Sequence, residues 1–121
     1  MPAEPAPRPD RLVMVVGTGT GVGKTWVSAR LLERLRAAGH PVAARKPAQS
    51  FHPQDHPEGT DAAVLGRATG EPAGEVCPPA RWYPVAMAPP MAAVRLGRPQ
   101  LFWDDLVAGV TWPSGVGVGV V

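Results

Sequence analysis

The apolar positions of this chain fall into two rhythms. Leu12–Val16 is a short continuous apolar run, rich in β-branched residues, which predicts a buried parallel strand. From Lys24 to Ala38 the spacing changes to that of a helix. Val27, Leu31, Leu35 and Ala38 share one face with Leu32 at its flank, while Arg30, Glu33, Arg34 and Arg36 point elsewhere. Glu33 can pair with Arg30 or Arg36, and Gly39 is a natural stop. Val42–Lys46 then reads as a second strand, parallel to the first through a right-handed βαβ crossover. Later elements are weaker. Thr60 or Asp61 can cap a helix running to Thr69 and closed by Gly70, and a small helix is expected around Met91–Leu96, ended by Gly97. Another spans Pro99–Ala108, with Leu101, Phe102 and Leu106 on its face and Gly109 as its stop. Val116–Val121 reads as a third strand with an unpaired apolar edge. The stretches 47–59 and 71–83 read as Pro-rich loops, and Met1–Asp10 as a disordered Pro-rich tail ahead of a single domain over 11–121.

Between the first strand and the first helix lies G-T-G-T-G-V-G-K-T. Gly17, Gly19, Gly21 and Gly23 let successive peptide N–H groups converge on an anion; Lys24 adds a mobile positive charge and Thr25 a hydroxyl. The helix that follows aims its N-terminal amides at the same point, so the segment reads as a phosphate-binding loop. Thr18 stands where the usual G-x-x-x-x-G-K-[ST] pattern has its first glycine, and Gly17 lies one residue further back. A flexible turn is the bland alternative, but strand and helix are both where phosphate binding needs them. Lys46 closes the second strand, and ligands of open α/β sheets sit beyond the carboxyl ends of strands, which puts Lys46 at the same edge as the glycine loop. Asp61 is read equally as a helix cap or as a ligand.

Composition narrows the field. A chain of 121 residues holds one domain, and a formal net charge of +2 with scattered arginines does not point to nucleic acid. The lone Cys77 excludes an internal disulfide and fits a reducing compartment; it reads as a semi-buried bystander. Neither a signal peptide nor a membrane-length apolar run is visible, so a cytoplasmic location is expected. Fourteen glycines and sixteen prolines make up about a quarter of the chain, a disorder signal confined to the tail and to the stretch between Pro41 and Pro99. His52 and His56 have metal-ligand spacing for a helix, but Pro53 and Pro57 oppose one there. Trp26, Trp82, Trp103 and Trp112 are too scattered for a base-stacking platform and read as core or interface residues.

The chain resembles the dethiobiotin synthetase family. The resemblance rests on V-x-G-T-x-T-x-V-G-K-T in the loop, K-P-A-Q-S at Lys46–Ser50, G-T-D-A-A-V-L at Gly59–Leu65, A-P-P-M-A-A at Ala88–Ala93 and G-R-P-x-L at Gly97–Leu101. It implies a P-loop NTPase-like α/β fold, a parallel sheet with flanking helices in three α/β/α layers. It also implies a cyclo-ligase that closes the ureido ring of dethiobiotin from diaminopelargonic acid, CO2 and ATP through a phosphorylated carbamate. By that resemblance Gly21, Val22, Gly23, Lys24, Thr25, Trp26 and Asp61 bind ATP. Lys24 and Lys46 bracket the transferring phosphoryl group, Lys46 as the catalytic lysine. Ser50 and Thr20 meet the substrate, and Thr25 and Asp61 hold Mg2+. Many members carry an acidic residue where this chain has Gly21. The family continues past its third strand into V-E-G-A-G-G, whose Glu is a further Mg2+ ligand, and uses later strands for adenine and for a homodimer interface. The expectation is therefore an N-terminal portion of a longer enzyme. A non-catalytic nucleotide-binding fragment and a cobyrinic-acid-type amidotransferase are the competing readings; a partition ATPase is disfavoured by Gly19, where those proteins usually carry lysine.

Overall fold

The computed structural model describes residues 3–19 and 21–121. It is an α/β fold built on a parallel sheet with flanking helices. Strand β1 is Arg11–Val13, helix α1 Lys24–Ala37 and strand β2 Val42–Ala44. Strand β3 is Gln49–Ser50, helix α2 Asp61–Thr69, helix α3 Ala73–Val76 and strand β4 Trp82–Tyr83. Helix α4 is Pro89–Arg95, helix α5 Trp103–Ala108 and strand β5 Val118–Val120. Short 3-10 turns cover Pro57–Gly59 and Pro79–Arg81.

The main sheet has the order β1-β5-β2, parallel throughout. Val118 lies between Arg11 and Val42, and Val120 between Val13 and Ala44. The expected unpaired third strand is thus corrected: β5 is the centre, bonded on both sides. Its tight position suits its composition. A Cβ on Gly119 would come within 2.7 Å of the Trp112 ring and 2.9 Å of Pro9, so glycine lets both rings lie against the strand. The edges are β1 and β2 instead, and at β1 Val13 and Val15 are half-buried while Leu12, Met14 and Val16 are exposed. The run expected to be a buried strand is therefore a one-faced edge among the described residues. Regular strand ends at Val13, although the Val15 N–H still donates to Val121 O at 2.9 Å. Likewise β2 stops at Ala44, short of the expected Lys46. Arg45 N–H continues the ladder to Val120 O, and Lys46 N–H turns away to Val76 O.

The main core joins Ala29 and Leu32 of α1, Ala62, Leu65 and Ala68 of α2, Ala44, Val76, Cys77 and Val120. The buried face of α1 is Ser28, Ala29 and Leu32, not the expected Val27–Leu31–Leu35–Ala38 line. Val27 is half exposed and Ala38 exposed. The helix is rotated because two small residues allow close approach to its neighbours, which larger side chains would prevent.

Both Pro-rich loops are corrected as well. Gln49–Ser50 pairs in parallel with Trp82–Tyr83, making a second small sheet, and α3 fills part of the second stretch. Over this sheet a satellite core gathers Tyr83, Ala92 and Ala93. Helix α4 begins at Pro89, two residues before the expected start, since proline fits a first helical turn. Helix α5 begins only at Trp103; it buries nothing fully, and Phe102 is 57% exposed rather than packed.

Candidate phosphate-binding site

The glycine loop ends in two left-handed residues, Gly21 at φ 72° and Gly23 at φ 102°, a conformation that a side chain would strain. Gly23 is the N-cap of α1, no side chain caps that helix, and its first turn carries no acid. The first-turn amides therefore stay available to an anion, at the positive end of a 14-residue helix. Lys24 Nζ donates to Gly19 O at 2.7 Å, so the loop's own carbonyl holds the cation that a phosphate would take.

The second lysine is placed by distant parts of the chain. Lys46 Nζ pairs with Asp61 Oδ2 at 2.9 Å. Asp61 is free to do so because Thr60 caps α2: the Thr60 hydroxyl accepts from Ala63 N–H, and Asp61 is the first helical residue. The capping role thus falls to Thr60, and the Asp61 carboxylate is left to pair with Lys46. Behind Lys46, Glu71 accepts from the Ala44 amide at 2.9 Å through one oxygen and pairs with Arg45 Nη1 at 2.6 Å through the other. Arg45 also donates to Thr111 O and lies over the Trp112 ring. This buried network pins the end of β2. Sequence reasoning missed it; a charged residue, Arg45, inside the expected strand Val42–Lys46 was the only signal.

Gly21, Gly23, Lys24, Thr25, Trp26, Lys46 and Asp61 line one cavity of ≈ 350 Å³. Two lysines, one hydroxyl, one carboxylate and a bare helix start therefore face a common space. The set suits a polyanion with a hard divalent cation: Mg2+ takes few protein ligands and completes its shell with phosphate oxygens and water. Ser50 lies outside that cavity. It lines an adjoining one of ≈ 550 Å³ that also touches Lys46 and Asp61, and its hydroxyl is buried without a hydrogen-bond partner. Val22 is exposed and does not line the phosphate cavity. Thr20 lies outside the described residues.

The other tempting residues have local roles. His52 Nδ1 accepts from Gln54 N–H, and His56 Nδ1 accepts from Glu58 N–H, so each ring caps its own turn. Cys77 is buried, and burial pushes its thiol up to about 11. The carbonyl of Cys77 accepts from the Trp82 indole at 2.8 Å.

Residues 11–100 match the model of a family described as an AAA domain. The chain belongs to this family. Three of its relatives share one name. The chain is 41% identical over 109 residues to the ATP-dependent dethiobiotin synthetase BioD of Caulobacter vibrioides, covering 89% of this chain and 49% of that protein. It is 49% identical over 79 residues to the protein of the same name from Haloferax mediterranei, covering 65% of this chain and 32% of the relative. For the one from Acidiphilium cryptum the identity is 37% over 101 residues, with 78% and 44% covered. The chain spans about half the length of the curated relatives it matches. None of its helices, among the described residues, is long and apolar enough to cross a membrane.

Proposed function

We propose that the cavity takes the triphosphate of ATP, and that the chain serves the reaction named for its relatives, ring closure to dethiobiotin. One observation carries this reading: Lys24 at the start of α1 and Lys46 just past β2 line one space with Thr25 and Asp61.

In this reading the first-turn amides of α1 and the loop hold the β- and γ-phosphates. Lys24 leaves Gly19 O for a phosphate oxygen. A carbamate oxygen, formed from CO2 and one amine of the diamine, attacks the γ-phosphorus and ADP departs. The second amine then attacks the carbamate carbon, phosphate departs, and the ureido ring closes. Lys24 and Lys46 flank the group in transit and spread its growing negative charge, where fixed cations in a partly dry site do most. Asp61 and Thr25 are the residues that would hold Mg2+, which supplies charge neutralisation between the phosphates when bound. The Lys46–Asp61 pair is easily parted, because the two side chains are 31% and 41% exposed and such pairs contribute little. Ser50, and Thr20 by its place in the motif, would meet the diamine or its carbamate.

Calorimetry with ATP and Mg2+, followed by a diamine-dependent ADP-release assay, tests the reading. ATP binds, ADP release needs the diamine, and Lys46→Ala abolishes release while ATP still binds. ATP binding with no diamine-dependent release would leave a nucleotide-binding module in place of a ligase. No ATP binding would remove both.

A further inference from the structure

One residue at the cavity, expected from the resemblance to bind ATP, has no stated contact in the mechanism above. Trp26 sits in the first turn of α1 and is 64% exposed, although it is among the largest apolar side chains of the protein. It is not part of the core, since α1 turns Ser28, Ala29 and Leu32 inward. Yet it lines the phosphate cavity together with Gly21 and Gly23. Its ring is also braced. The Arg30 guanidinium lies over it at 5.7 Å from the ring centroid, and Glu33 Oε2 holds that guanidinium at 2.8 Å. The cation thus lies over the indole, held there by the carboxylate, and the ring as a whole stays largely exposed.

The remaining groups around the cavity are glycines, lysines, a threonine and an aspartate, all suited to phosphate and metal. A nucleotide is longer than its phosphate tail, so its nucleoside must leave the cradle past the rim. Trp26 is the one aromatic ring lining that cavity among the described residues. We infer that Trp26 is a stacking platform for the nucleoside of the bound nucleotide, held flat by the Arg30–Glu33 pair. The inference rests on the phosphate-site reading of the cavity. Stacking on an indole face is tolerant of base identity, because every base has a π-face. Trp26 therefore adds affinity for nucleotides over inorganic polyphosphate, with little choice among bases.

Calorimetric titration of the 121-residue chain with ATP, CTP and inorganic tripolyphosphate, each with Mg2+, tests this. Trp26→Ala weakens ATP and CTP roughly 5- to 100-fold, the loss expected when a stacked base loses its aromatic partner. Its tripolyphosphate affinity stays that of the parent chain. Trp26→Phe, which keeps a ring, retains most of the nucleotide affinity. Equal weakening of nucleotides and tripolyphosphate in Trp26→Ala would mean that the ring only shapes the loop, and overturns the inference. So would unchanged nucleotide affinity. A parent chain that binds tripolyphosphate but shows no preference for ATP overturns the platform alone; one that binds neither overturns the phosphate site as well.

Discussion

Lys24 and Lys46 reach the same cavity by opposite routes. Lys24 is held five residues from home: a glycine bend, a left-handed cap and the loop carbonyl of Gly19 place its ammonium. Lys46 is held by the rest of the molecule, with its amide on Val76, its ammonium on Asp61 and its neighbour Arg45 clamped by Glu71. A local device needs only its own residues. A tertiary device fails when a distant partner is removed, and that difference can be measured.

The largest expected effect is on the tertiary side. Glu71→Ala strands the Arg45 guanidinium, which is 6% exposed, and should destabilise the chain by about 3–5 kcal/mol in urea melts. Replacing both members, Arg45→Met with Glu71→Leu, should recover most of that loss, because the desolvation cost leaves with the charges. A Glu71→Ala melt matching the parent would show that Lys46 is held as locally as Lys24.

Next come the lysines themselves. Lys24→Ala and Lys46→Ala should each weaken tripolyphosphate binding by about 1.5–3 kcal/mol, the range for one charge-assisted hydrogen bond. Neither should move the urea midpoint appreciably, since both lysines are half-exposed. Loss of binding in one variant only would mean that the two do not share an anion. Smaller still is Thr60→Ala. It removes the α2 cap and should cost about 1 kcal/mol of stability. It also loosens the turn that presents Asp61, so Lys46 should feel it and Lys24 should not.

The same contrast explains what could be read from the sequence. The glycine loop was legible because its chemistry is contiguous: bend, lysine, hydroxyl and helix follow one another between Gly17 and Trp26. The edge shared by Lys46 was also legible, since strand direction alone puts the end of β2 near the loop. The division of labour between Thr60 and Asp61 was not. Either residue can cap a helix, and only the position of Lys46 decides which one does. The clamp by Glu71 and the pairing of Gln49–Ser50 with Trp82–Tyr83 join residues far apart in sequence, and two-residue strands carry no periodicity to detect. The face of α1 was misjudged for a related reason. Hydrophobic spacing favours the larger side chains, whereas close packing selected Ser28 and Ala29.

The placement of β5 has a consequence for how the chain comes into being. Arg11 and Val42 both wait for Val118, the shared rung that joins the two outer strands. In chain order both outer strands, and the helices between them, precede the strand that joins them. Until then the nascent polypeptide can wind α1 and α2 but cannot close the sheet, and topologies so dominated by distant pairings form slowly. Closure of the sheet hangs on Val118–Val120, and a lesion in any of the three acts on both outer strands at once.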